Sequence, residues 1–216
     1  MLATTVLASG ITHLTDARYF AAWEVDYLAF PLGEGAGEAI SWDYLNALRE
    51  WVEGPEIVAE LGSIDDGEAW LTILTEQKIK TVLLYEGTSD ETAEQLHQAG
   101  IKIIRQLIID QYQKGADVES TITEFPATDL FLLQFEDWIT YADLFDGSLF
   151  GLEALNTVTA AKPCLLQLHL GEEDPKVIKD KHPIAGFAVR GSSEEKVGYK
   201  SFDDLDGLFE GLEVFE

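Results

Sequence analysis

Val6-Leu7-Ala8-Ser9-Gly10-Ile11-Thr12-His13-Leu14-Thr15-Asp16-Ala17 sets the frame for the whole chain. An apolar run ends in Ser9-Gly10, turns, and enters a helical pattern behind Thr15 and Asp16. This order reads as a strand, a short loop and the start of a capped helix. In a parallel α/β barrel, residues at such a strand end face the mouth where ligands bind. Ser9 is therefore the first candidate for a functional position. The competing reading of Ser9-Gly10 is a plain turn.

The same unit repeats along the chain. Near-continuous apolar runs predict strands near Thr4–Ser9, Tyr27–Leu32, Glu56–Leu61, Thr81–Tyr85, Ile101–Ile109, Leu130–Phe135, Cys164–Leu170 and Gly186–Val189. Runs of this kind suit strands buried on both faces. Helical patterns fall between them: Asp16–Trp23, Ser41–Val52, Asp65–Gln77, Asp90–Ala99, Gln111–Thr123, a segment within Tyr141–Ala160, Asp174–Lys181 and Phe202–Gly211. Ser63, Ser89 and Ser201 suit N-caps, and Gly100 suits a helix stop. Eight β/α units in 216 residues predict one domain over residues 1–216, a (β/α)8 TIM barrel. A doubly wound open sheet is the rival, but no Gly-x-Gly-x-x-Gly follows the first strand.

Hydrophobic residues make up 46% of the chain, enough for a sizeable core. No apolar run approaches the roughly 20 residues of a membrane span. The start of the chain lacks the pattern of a signal peptide, so a cytoplasmic protein is the default. The one cysteine, Cys164, rules out an intrachain disulfide and four-cysteine metal sites. The formal charge of -26 argues against nucleic acid as a partner, since phosphate binding needs basic patches. A solvated acidic surface and adaptation to a salt-rich cytoplasm are the two readings of that charge.

The opening stretch resembles that of phosphoribosylanthranilate isomerase, where a strand reading KICGIT precedes a helix beginning near Asp-Ala. Ser9-Gly10-Ile11-Thr12 and Asp16-Ala17 keep that frame. Asp26-Tyr27-Leu28-Ala29-Phe30 is similar to the family's second strand, Gly100 to Arg105 to the fifth, and Asp129 to Leu133 to the sixth. Val189 to Lys200, with Glu194, Gly198 and Lys200 in frame, resembles the eighth strand and the loop after it. The resemblance implies an Amadori rearrangement in tryptophan biosynthesis, with no cofactor, and a small, phosphorylated ligand as the partner. It also implies a base at the first-strand cysteine and an acid at an aspartate ending the sixth strand.

Those positions hold Ser9 and Gln134 here. An unaided serine is a poor base, and glutamine neither gives nor takes a proton at neutral pH. The position of the anthranilate-binding arginine falls on Glu38, which would repel a carboxylate. The phosphate-binding Ala-Gly-Gly-Leu after the seventh strand becomes Gln167-Leu168-His169-Leu170, whose side chains obstruct close approach. The eighth-strand Ser-Ser-Gly becomes Arg190-Gly191-Ser192, which keeps the means to hold an anion. The chain therefore reads as a divergent member with lost or altered catalysis. One alternative is a non-catalytic barrel binding a small polar or anionic ligand through Arg190, Ser192 and His169. Another is an enzyme on a different substrate.

Further residues carry two readings each. Glu60 and Glu136 suit a carboxylate pair for acid and base work, or coincidence on an acidic chain. Arg105 matches a family arginine and so joins the candidate ligand-binding set, while its apolar neighbours favour a buried structural role. Gln134 is either a substrate contact or a polar filler. Cys164 reads as core packing at the barrel floor. His13 and His169 are the one histidine pair that both approach the expected mouth, and no metal-ligand spacing is present.

Overall fold

The computed structural model describes residues 1–145, 150–191 and 202–214. Within them, strands and helices alternate: β1 Thr5–Ser9, α1 Leu14–Ala22, β2 Tyr27–Pro31, α2 Trp42–Arg49, β3 Glu56–Gly62, α3 Gly67–Glu76, β4 Thr81–Tyr85, α4 Asp90–Gln98, β5 Lys102–Ile109, α5 Gly115–Glu124, β6 Leu130–Phe135, α6 Leu152–Ala161, β7 Cys164–Gln167, α7 Pro175–Lys181, β8 Gly186–Arg190 and α8 Asp203–Leu212. Short 3₁₀ turns at Glu34–Ala36 and Tyr141–Phe145 follow β2 and β6. The strands close into a ring in chain order, all parallel. The rival open sheet is excluded because β1 pairs with both β2 and β8.

The β1–β8 seam runs in register from Thr5↔Gly186 to Ser9↔Arg190. It closes tightly: a Cβ at Gly186 would lie 1.9 Å from the Thr5 carbonyl oxygen. Inside the ring, Leu7, Ala29, Val58, Leu83, Ile104, Leu130, Leu132, Leu165 and Ala188 pack into an apolar layer. The alternate residues, such as Val6, Phe30, Val82, Ile103 and Phe187, pack outward against the helices. Burial on both faces is why the strands read as unbroken apolar runs. At the floor, Lys102 Nζ donates to the Tyr27 hydroxyl at 2.6 Å, and Thr81 Oγ1 donates to Glu56.

Helix starts follow the expected chemistry in part. Ser89 accepts from Thr92 N at 3.1 Å and Ser41 from Tyr44 N at 3.2 Å. Gly100 ends α4 at φ 88°. The cap of α3 is Asp66 rather than Ser63, because the helix begins one turn later than its polar lead-in suggests. At α1 the capped start is not found: His13 holds the cap position without a side-chain bond, and Asp16 is buried in the first turn. Ser201 lies outside the described residues. β7 stops at Gln167, short of the expected Leu170, because His169 leaves it to bridge Thr140, and its carbonyl accepts from Tyr141 N at 2.8 Å.

One buried polar network ties the outer elements. The Tyr141 hydroxyl lies 2.7 Å from His182 Nε2, and His182 Nδ1 lies 2.7 Å from Asn156 Oδ1. An Asn oxygen can only accept, so Nδ1 carries the proton and Nε2 accepts from Tyr141 in a neutral ring. Burial, then the nearby Lys181 charge, pushes the His182 pKa down.

Candidate functional site

Side chains alternate along a strand, so the residues two positions beyond the apolar layer also point inward. They are Ser9, Pro31, Glu60, Tyr85, Gln106, Gln134, Gln167 and Arg190. Pro31 aside, every one is polar. They lie at the C-terminal ends of the strands, the end at which barrel enzymes carry their sites.

Glu60 is the charged centre of this layer. It is 1% exposed. The Tyr85 hydroxyl donates to its Oε1 at 2.6 Å, and Gly10 N–H donates to its Oε2 at 3.0 Å. Burial pushes the Glu60 pKa up, against the opposing pull of Tyr85, the Gly10 amide and the Arg190 charge. Burial, then the neighbouring Glu60 charge, also raises the Tyr85 pKa, while the Arg190 charge lowers it.

Arg190 lies across Gly10. Gly10 has φ 64°, and a Cβ there would sit 3.1 Å from Arg190 Nε. A side chain at position 10 would thus be strained and would displace the guanidinium. Arg190 makes no ion pair among the described residues. Together with Gly10, Thr12, His13, Glu38 and Gly191 it lines an open cavity of about 190 Å³.

The opposite arc of the mouth is built of amides. Gln106 Nε2 donates to Gln134 Oε1, and Gln134 pairs in register with Gln167. Gln134 is thus held by a neighbouring amide in the position where the resemblance expects an acid. Ser9 is buried, and its Oγ donates to the Val189 carbonyl at 3.3 Å. Among the described residues no carboxylate or imidazole hydrogen-bonds it, which is the contact a serine base needs.

The remaining candidates disperse. Glu38 and His13 line the mouth cavity. His169 is exposed beyond Gln167 and is not among the residues lining that cavity. Glu136 is held by Trp138 Nε1 at 2.9 Å at the end of β6, three strands from Glu60, so the two carboxylates form no bonded pair. Cys164 is fully buried at the start of β7, its thiol pushed up to about 12 by burial, which leaves it inert. Ser192 lies outside the described residues. Among the described residues, no group of three or more His, Cys, Asp or Glu is placed to hold a metal ion. No described helix is long and apolar enough to cross a membrane.

Arg105 lies on the other face of β5. Its neighbours Ile104 and Gln106 face the barrel interior, so Arg105 faces the helices and cannot meet a ligand in the mouth. It is completely buried and stacks over the Phe125 ring at 3.8 Å. Its Nη1 donates to the Thr88 carbonyl at 2.6 Å and its Nε to Thr128 Oγ1 at 3.2 Å. Burial lowers its pKa to about 10, and the charges of Asp90 and Glu86 pull the other way. Thr88 in turn accepts from Ile64 N at 3.0 Å and donates to the Gly62 carbonyl at 3.4 Å. Arg105 therefore braces the loops that follow Glu60 and Tyr85.

Sequence reasoning missed Tyr85 and Gln106, and read Gln167 only as an obstruction. The available signal was parity. Tyr85, Gln106 and Gln167 each lie two residues after an inward apolar residue, Leu83, Ile104 and Leu165 respectively.

The overall shape has close counterparts among solved structures. Phosphoribosylanthranilate isomerase from Thermus thermophilus superposes with TM-score 0.70 at 19% identity, over 96% of this chain and 98% of that one. The enzyme from Pyrococcus furiosus gives 0.71 at 13% identity, over 97% and 98%. The shared feature is the closed (β/α)8 barrel. A phosphoribosylanthranilate isomerase solved with reduced 1-(o-carboxyphenylamino)-1-deoxyribulose 5-phosphate gives 0.71 at 16% identity, over 97% and 98%. No protein-family model and no curated protein matches the sequence.

Proposed function

We propose that this chain is a divergent phosphoribosylanthranilate-isomerase-like barrel. Its mouth binds a small polar, anionic molecule, and it does not carry out the Amadori rearrangement through the inherited positions. The observation that carries this reading is the pairing of replaced proton-transfer positions with a guanidinium, Arg190, at the mouth cavity. Ser9 and Gln134 bond only neutral groups among the described residues. Arg190 meanwhile stands over the Gly10 turn beside an open cavity, unpaired with any described carboxylate within 4.0 Å.

A second reading is favoured by Glu60. It is a buried carboxyl with a raised pKa, bonded to a tyrosine and close to a cation, which is the environment of an acid–base group. Under this reading the mouth is the active site of an enzyme on another substrate, with Glu60 moving the proton and Tyr85 positioning it.

A turnover assay of the purified chain with phosphoribosylanthranilate tests the first reading. We expect no conversion above background. Turnover at about 1 s⁻¹ or faster, the ordinary enzyme scale, overturns it. The second reading is tested by screening small hydroxy and keto acids for proton exchange in deuterated water, comparing parent and Glu60→Gln. Exchange that is equal in both removes Glu60 from the chemistry.

A further inference from the structure

Two opposite charges line one cavity at the mouth without neutralising each other. Arg190 and Glu38 both border the space of about 190 Å³ beside Gly10. No nitrogen of Arg190 lies within 4.0 Å of a described carboxylate oxygen, Glu38 included. Both residues are exposed. Glu60 does not border this cavity, and its two oxygens are held by the Tyr85 hydroxyl and the Gly10 amide. It therefore does not pin the guanidinium.

A ligand of one sign meets opposition here. A carboxylate on Arg190 shares a small space with Glu38, and the Glu60 charge is felt there as well. An amine on Glu38 shares it with Arg190. A molecule carrying both groups answers both charges. The guanidinium offers a planar fork that matches a carboxylate with two parallel bonds, and the Glu38 carboxylate accepts from an ammonium. The field of the whole chain points the same way. With a formal charge of -26, the protein repels a free anion at long range, whereas a zwitterion of no net charge escapes that penalty. The rest of the wall agrees. Thr12 and His13 supply hydrogen-bonding groups, and the buried Pro31 and Ala36 supply a small apolar surface for an aliphatic stem. The volume is below the roughly 300–1,000 Å³ of sites for drug-sized ligands, which limits the ligand to a few carbons.

We propose that the mouth cavity binds a small zwitterionic amino acid, its carboxylate on Arg190 and its ammonium on Glu38. This rests on the reading of the mouth as a site for an anionic group and adds a cationic group to the same ligand.

The test is a calorimetric and thermal-shift titration of the full chain at matched ionic strength. The probes are L-alanine, γ-aminobutyrate, propionate, propylamine and inorganic phosphate. The two amino acids differ in the spacing of their charges. We expect one of them to bind at least about tenfold more tightly than propionate or propylamine, the yield of one charge-assisted hydrogen bond. Glu38→Gln should weaken that binding about tenfold while leaving propionate binding unchanged or tighter. Arg190→Met should weaken it about tenfold while leaving propylamine binding unchanged or tighter. A merely structural role would weaken all probes alike. Both side chains are on exposed residues, so the free variants should melt with the parent. Should Arg190→Met melt early, the Glu38→Gln comparison decides. Propionate or propylamine binding as tightly as both amino acids overturns the proposal. Phosphate or propionate binding that is lost in Arg190→Met, with neither amino acid bound, overturns the zwitterion and leaves the mouth an anion site. Binding of none of the five overturns the zwitterion and the site together. Amino-acid binding that survives both variants lies elsewhere and also overturns the proposal.

Discussion

Tyr85 donates its hydroxyl proton to Glu60 Oε1 across 2.6 Å, joining the ends of β4 and β3 at the barrel rim. Both residues are held inward by the apolar layer below them. The bond gives a buried carboxylate one of the two donors that make its charge tolerable there, the Gly10 amide being the other.

Removing that hydroxyl should raise the Glu60 pKa further. A carboxyl raised in the folded state favours folding below its unfolded value near pH 4.3 and loses that contribution as pH rises through the folded value. Tyr85→Phe should therefore cost little at pH 4 and about 1.5–3 kcal/mol at pH 8. Urea melts at the two pH values measure the difference. An equal deficit at both would place the role of the hydroxyl outside the carboxylate.

Arg105→Met removes the guanidinium while keeping much of its apolar bulk. The Thr88 carbonyl and Thr128 hydroxyl lose their donor, and Phe125 loses its stacked cation. The expected cost is about 3 kcal/mol, read as a fall in the urea midpoint. Because Thr88 also holds Ile64 and Gly62, amide exchange should speed up at residues 62–64 and 86–88 more than at the floor of the barrel. Uniform exchange would deny the bracing role.

His182 makes stability fall in mild acid. Its folded pKa lies below the ordinary value, so the unfolded chain takes up the proton first. The stabilisation is present above about pH 6.5 and is lost as pH falls through the folded value. His182→Gln should flatten the difference between pH 7.5 and pH 5.5. Tyr141→Phe should cost about 1 kcal/mol at pH 7.5. A parent and a glutamine variant with parallel pH profiles would contradict this.

Salt should stabilise the protein. The chain carries 40 acidic and 14 basic residues. The described residues contain two ion pairs, Met1 with Glu24 and His97 with Asp129, and both are exposed. Adding salt has little attraction to weaken and much repulsion to screen. The melting temperature should rise between 0.05 and 1 M sodium chloride, by about 2–4 °C for each kcal/mol of repulsion relieved. A flat or falling curve would show that these charges do not burden the fold.

The strands were readable because a doubly buried strand leaves an unbroken apolar run, and Leu130–Phe135 and Thr81–Tyr85 fell on the observed bounds. Helix starts were less so. Asp66 and Ser63 are both good caps, and which one serves depends on where the β3 loop releases the chain. The site was readable in chain position but not in geometry. Ser9, Gln134 and Arg190 fall in the inward layer because each ends a strand. Arg105 does not, since one residue of parity sends a strand side chain to the opposite face. Tyr85 and Gln106 look like ordinary strand residues until ring closure sets them beside Glu60 and Gln134. The replacement of the acid and base that the resemblance implies was plain in the residue types. The buried carboxyl near Arg190 emerged only with the fold.

The contact between Gly186 and the Thr5 carbonyl bears on how the molecule behaves in company. A ring of strands offers no bare backbone for another molecule to zip onto. That protection hinges on a single hydrogen atom at position 186, where any methyl would wedge the first and last strands apart. A breach there would turn a self-contained cylinder into a sheet with two sticky margins, and clumping would be its first symptom.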